Sequence, residues 1–292
     1  MRRDMVSDMT AITGLCHATA MARDYDGLLG PLQRLFGAVV MHDHVSEDPA
    51  VGRRGGMVWL GDNSIEIGAP AGDRSAVRRF VDEWGGGMHS LALSVDDAAT
   101  ARERLAGLGV EPVATVSGDI FFTRPGDTTG ILLEWSAMLT DDDPRAGARL
   151  APLSSPPVVD VEQYAFVSGI VADPAAVASR LAQLFGAEVV RLVPEAPPDR
   201  IAAIVSLVDC LLVLFPMPPA DTARRLWGRE VTRPRLHGHG LRVADLGAAR
   251  AALTTEGIDA VAEVDGLVLL DPSALPIPTF LCEQLLPEDP RS

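Results

Sequence analysis

Four polar residues stand in otherwise apolar stretches of this 292-residue chain: His17 in GLCHATAMA, Glu66 in NSIEIGAP, His89 in GGGMHSLALSV and Glu134 in GILLEWSAM. Each reads as mid-strand, where a charge aimed at an interior is costly unless it is paired or bound to a metal. Two imidazoles and two carboxylates brought together suit a divalent ion: Co(II), Zn(II), Ni(II), Mn(II) or Fe(II). Taken singly, each has an ordinary reading as a satisfied core or edge residue. Placement makes them a set, because they fall in the order His, Glu, His, Glu on the first or last strand of successive structural units. His42 and His44 in MHDHVSE share one face of a strand and read as an exposed edge. Cys16 neighbours His17 and Cys282 neighbours Glu283, so a strand period of two turns both thiols away from the interior.

The units that must position these residues repeat. LFGA at Leu35 to Ala38 returns at Leu184 to Ala187, about half the chain later, and HSLALSVDDAATARERLAGLGVEP matches HGLRVADLGAARAALTTEGIDA. Such repetition is settled before any local assignment. Each unit opens with an alternating strand, as at His89, Leu91, Leu93 and Val95, and then reaches an Asp able to cap a helix: Asp24, Asp96, Asp173 or Asp245. Pro174 occupies the favoured first helical position, and each helix ends at a glycine, Gly37, Gly109, Gly186 or Gly257. Three short strands follow, in the first unit at Ala38 to Ser46, Gly56 to Gly61 and Ser64 to Ala69. The chain is therefore α+β, four βαβββ units in a row. The connectors around Arg78 and Arg224 are long enough for one short helix each.

Composition narrows the partners. A chain with 47% hydrophobic residues buries a sizeable core, and a formal charge of −15 disfavours nucleic acid and anionic membrane. Three widely separated cysteines, Cys16, Cys210 and Cys282, fit a reducing cytoplasm better than a disulfide framework. The opening MRRDMVSDMT lacks an apolar core and reads as a tail, and the run CLLVLFPMP is far short of the roughly 20 residues of a membrane span.

With these residues in place, the pattern resembles the vicinal oxygen chelate superfamily. GGGMHSLALSVDD, NSIEIGAP and RPGDTTGILLEW are similar to its methylmalonyl-CoA epimerase and glyoxalase branch over Thr13 to Met138. The resemblance implies two tandem half-open barrels and assigns ligand roles to His17, Glu66, His89 and Glu134. It also implies a proton-transfer role for Glu47 in the loop HVSEDPAVG, beside the metal-bound Glu134. The expected organisation is a metal-binding pair of units at 11–139, a linker at 140–160 and a degenerate pair at 161–288. In that second pair Phe166 stands for His17 and the apolar Leu211 to Phe215 for the Glu66 stretch, while His237 and Glu283 align with His89 and Glu134.

The implied activity is a divalent-metal-dependent isomerase or lyase moving a proton beside a carbonyl. Its substrate would be a small carbonyl compound or an acyl-CoA, with Arg53, Arg54, Arg74, Arg78 and Arg79 nearest for CoA phosphates. Two alternatives stand beside it: an extradiol-type Fe(II) ring-cleaving dioxygenase and a metal-free small-molecule-binding or resistance protein. Four units in one chain complete internally what relatives build as dimers, so both monomer and homodimer fit.

Overall fold

The computed structural model of the chain describes residues 12–46, 52–75, 77–228 and 230–292. The stretch read as an N-terminal tail and Glu47 lie outside these residues. The first half runs β1 (Gly14–Met21), α1 (Tyr25–Phe36), β2 (Val39–Val45), β3 (Arg53–Leu60), β4 (Asn63–Pro70), α2 (Arg78–Trp84), β5 (Gly87–Ser94), α3 (Ala98–Gly107), β6 (Pro112–Ser117), β7 (Ile120–Thr123) and β8 (Leu132–Ser136). The second repeats it: β9 (Val161–Val171), α4 (Pro174–Phe185), β10 (Val189–Leu192), β11 (Ala203–Ser206), β12 (Leu211–Pro216), α5 (Ala220–Trp227), β13 (Arg235–Val243), α6 (Leu246–Thr255), β14 (Ala260–Val264), β15 (Leu267–Leu270) and β16 (Thr279–Cys282).

Each half is one eight-stranded sheet, ordered β2-β3-β4-β1-β5-β8-β7-β6 in the first and β10-β11-β12-β9-β13-β16-β15-β14 in the second. The two βαβββ units of a half meet at the antiparallel pair β1–β5 or β9–β13, and each of those strands pairs in parallel with the last strand of its own unit. The sequence pattern therefore gives the right elements, and α2 and α5 are the expected connector helices. Helix starts follow the predicted chemistry, because Asp24, Asp173 and Asp245 accept hydrogen bonds from free N–H groups of the first turn. In the second unit the cap is Asp97, accepting from Thr100 N, and not Asp96. Gly37 and Gly186 close α1 and α4 in the left-handed conformation, at φ 72° and 64°.

The helices bury one face each, Leu28, Leu32, Leu35 and Phe36 on α1 and Val177, Leu181, Leu184 and Phe185 on α4. These faces join one apolar core shared by both halves, where Trp135 of β8 meets the Phe185 ring edge-on at 6.1 Å. The halves also clasp each other reciprocally. Asp62, in the β3–β4 turn, accepts from Tyr164 N at 2.8 Å, and its counterpart Asp209, in the β11–β12 turn, accepts from Leu15 N at 2.8 Å. No helix among the described residues is long and apolar enough to cross a membrane.

The stretch read as a linker contains a device that belongs to β1. Asp143-Pro144-Arg145 forms a single 3-10 turn, and Arg145 donates to the carbonyl oxygens of Leu15 (2.8 Å) and Cys16 (2.6 Å) while paired with buried Asp143 at 2.7 Å. The chain ends on a second Asp-Pro-Arg. Arg291 pairs with buried Asp289 at 2.8 Å and donates to the carbonyls of Tyr164 (3.1 Å) and Ala165 (3.4 Å). This repeat is visible in the sequence once the clamp is known. Removing either arginine strands a buried carboxylate, so Arg145→Ala and Arg291→Ala should each cost about 3 kcal/mol in urea denaturation. Only Arg145→Ala should also lower metal content, because only its strand carries His17.

Candidate metal centre

β-Bulges deliver both histidines. On β1, Leu15 faces Leu93 and His17 faces Ala92, so Cys16 is an extra residue; on β5, Ser90 faces Thr19 and Met88 faces Ala20, so His89 is extra. A bulge puts two consecutive residues on nearly the same side of a strand. The strand period places His89 with Leu91, yet Leu91 and Met88 lie in the core shared by the halves, while His89 faces the cavity beside Ser90. Cys16 likewise lines the cavity with His17, which corrects the expectation that its thiol turns away. Arg145 holds the backbone of this bulge.

Two ladder rungs then assemble the set. His17, Ala92 and Glu134 lie side by side across β1, β5 and β8, and Glu66, Thr19 and Ser90 form the adjacent rung across β4, β1 and β5. His17, Glu66 and Glu134 each offer a ligand atom within 4.8 Å of the others, all three buried. His89 lines the same cavity, about 330 Å³ in volume, but stands outside this trio, its Nδ1 3.2 Å from Ser90 Oγ and its ring edge-on to Phe80 at 4.8 Å. Both ring nitrogens of His17 are buried without a hydrogen-bond partner, and Nε2 lies 3.7 Å from Glu66. A buried imidazole with free nitrogens facing two carboxylates fits a divalent cation.

The electrostatics describe a site that demands positive charge. Burial would raise the Glu66 carboxyl, but adjacent His17, the Arg53 guanidinium and the Thr19 hydroxyl bring it down to about 2. Arg53 is ion-paired with Glu66 inside the cavity. Burial would lower His17, but the Cys16 sulfur and the Glu66 and Glu134 carboxylates raise it well above the usual imidazole value. Burial raises Glu134 and lowers His89 to about 4. Arg54 turns outward to Asp26 and Asp43, while Arg78 is tied to the Gly72 carbonyl. Of the arginines considered for CoA phosphates, Arg53 lines the cavity.

The second half has the same ladders with other side chains. Phe166 and Phe280 flank Gly240 as His17 and Glu134 flank Ala92, and Val213 faces Ser168 as Glu66 faces Thr19. Phe280, not Glu283, is thus the counterpart of Glu134. Glu283 lies beyond β16, exposed, and accepts from Leu246 N at 3.3 Å. The rings of Phe166, Phe215, Trp227 and Phe280 pack on one another and fill this barrel. Gly240 makes room, since a Cβ there would strike the Phe166 ring. Cys282 packs into the same aromatic cluster, on the barrel side and not away from it. His237 sits against Trp227 at 4.2 Å, and His239 lies on the opposite face against Tyr164, where burial lowers it to about 3.

His42 and His44, read as an exposed edge, line the first cavity at its rim. The sheet's curl, which no local pattern encodes, brings β2 over the ligand strands.

No protein-family model and no curated protein matches the sequence. Solved structures do. A triple variant of 4-hydroxymandelate synthase from Streptomyces coelicolor aligns over 92% of this chain and 92% of its own, at 15% identity and a TM-score of 0.63. Methylmalonyl-CoA epimerase from Mycobacterium tuberculosis aligns with 45% of this chain and 91% of its own, at 26% identity and a TM-score of 0.40. A Streptomyces coelicolor methylmalonyl-CoA epimerase variant in complex with 2-nitronate-propionyl-CoA covers 44% of this chain and 100% of its own, at 24% identity and a TM-score of 0.40. By architecture, with two eight-stranded sheets of paired βαβββ units and a structural match over 92% of its length, the chain has the vicinal oxygen chelate fold.

Proposed function

We propose that the first half is a divalent-metal-dependent isomerase or lyase that moves a proton on the carbon next to a carbonyl, with acyl-CoA thioesters among its substrates. The convergence of His17, Glu66 and Glu134 around an imidazole with two unpartnered nitrogens carries this reading. His17, Glu66 and Glu134 would hold the ion, and His89 lines the same cavity beside them. The ion supplies a Lewis acid for a carbonyl oxygen that gains negative charge as the neighbouring C–H loses its proton. Glu47, outside the described residues, is the proposed base. Arg53 compensates Glu66, and the apolar wall from Ile120, Phe122 and Met138 limits water at the reacting carbon.

Two measurements test the reading. In deuterated water with Co(II), full-length protein should wash deuterium into at least one member of a panel of branched acyl-CoA thioesters and 2-hydroxyketones. No label in any member, with oxygen consumed in the presence of a catechol and iron, would instead favour the dioxygenase, for which His17, His89 and one carboxylate would be the donors. Calorimetry gives the second measurement. The raised His17 value favours a protonated ring in the metal-free site, and the ring must be neutral to coordinate, so Zn²⁺ binding at neutral pH should release protons. Affinity should therefore rise with pH until it passes the raised imidazole value. Equal apparent enthalpies in two buffers of different ionisation enthalpy would contradict this.

A further inference from the structure

The rim of the cavity carries a second acid–base group. His42 of β2 lines the cavity, and its Nδ1 lies 2.5 Å from Asp142 Oδ2. β2 is the edge strand of the sheet, and Asp142 lies just past β8, so this pair closes the barrel mouth between two segments far apart in the sheet order. Both side chains are 35% exposed, which leaves the ring open to a ligand. With Nδ1 engaged, Nε2 is the nitrogen available on the other edge. Asp142 is itself held in place: the next residue, Asp143, is buried and paired with Arg145, and Arg145 grips the bulge that presents His17. The dyad and the ligand cluster thus hang from one rigid anchor.

We infer that His42, oriented by Asp142, is a proton-transfer residue of this cavity. The inference rests on the proposed proton-transfer reading and adds a residue to it. Asp142 keeps the proton of the neutral ring on Nδ1, so Nε2 presents its lone pair to the substrate. The C–H proton passes to Nε2, the C–H electron pair moves into the enolate, and the imidazolium returns that proton, or one exchanged with water, to the carbon. Nothing is oxidised or reduced. His44, 5.9 Å away ring to ring, lies further out on the same strand and has no such carboxylate partner among the described residues.

The test uses the full chain loaded with Co(II) and a branched acyl-CoA thioester. His42→Ala should keep the metal content and urea midpoint of the parent protein, lose 10²-fold or more in deuterium incorporation, and regain at least tenfold when imidazole is added at about 50 mM. Rescue separates a chemical role from a barrel-closing ion pair, which free imidazole does not restore. Asp142 is a positioning residue, so its readout is spectroscopic. In the neutral ring, long-range ¹H–¹⁵N correlation should show His42 protonated on Nδ1, and Asp142→Asn should shift the proton to Nε2. Exchange by His42→Ala within twofold of wild type, or a wild-type ring protonated on Nε2, overturns the inference. A wild-type protein that exchanges no substrate overturns the proton-transfer reading itself, and the tautomer measurement then judges the dyad separately.

Discussion

Phe280→Glu is expected to cost about 4 kcal/mol or more of folding stability and to bring no metal into the second half. Register makes this substitution the direct transplant of Glu134, because Phe280 stands beside Gly240 as Glu134 stands beside Ala92. In the first half that carboxylate faces His17 and Glu66 across a cavity. In the second it would replace a fully buried ring stacked on Phe215 at 5.8 Å and packed against Phe166 and Trp227. Losing the ring alone costs about 3 to 5 kcal/mol, and an unpaired buried carboxyl adds its own desolvation penalty. Of the other three ligand positions, two are Phe166 and Val213, so His237 is the one ligand-type side chain left at those positions. Urea denaturation with metal analysis of the full chain checks both parts. A loss below about 1 kcal/mol would mean that the aromatic plug is not the reason this barrel holds together.

The plug also shows where the sequence can and cannot be read. The four units, the Asp caps at Asp24, Asp173 and Asp245 and the four polar strand residues are local patterns that survive in the structure, while the cap of the second unit moves from Asp96 to Asp97. What fails is the count of faces. A strand period of two assigns His89 to the side of Leu91 and Cys16 to the side away from His17, and one extra residue on each strand reverses both assignments. Bulges leave no clear mark in one sequence, although both recur in the second half, at Ala165 and His237. Alignment by spacing fails for a related reason. The offset between the halves shrinks along the chain, from 186 − 37 = 149 at the end of α1 to 240 − 92 = 148 on β5 and 280 − 134 = 146 on β8, so Glu283 falls opposite Glu134 in the sequence and three residues beyond its counterpart in the sheet. The rim histidines were hidden differently, since His42 reaches Asp142 only through the curl of eight strands. The Asp-Pro-Arg repeat was present all along in the written sequence, but without the clamp geometry it looks like ordinary loop chemistry.

His17→Ala should remove bound metal and activity together, the largest functional loss expected from one substitution. His17 is the nitrogen donor of the buried trio, and without it Glu66 and Glu134 face each other across a void with Arg53 as the remaining nearby cation. Losing an outer hydrogen-bond partner typically costs 10–100-fold in metal affinity, and a direct ligand should cost more. The effect also reaches the fold, because the carboxylates favour the charged His17 ring and its removal leaves Glu66 and Glu134 less compensated. The urea midpoint of the metal-free protein should therefore fall, as for any buried ion pair broken on one side. Glu47→Gln supplies the contrast: full metal content, with proton exchange reduced by about 10² to 10⁴. Metal analysis, denaturation and deuterium incorporation on the two variants separate ligand from base. One equivalent of tightly bound metal persisting in His17→Ala would remove His17 from the ligand set and, with it, the present account of why its nitrogens are buried without partners.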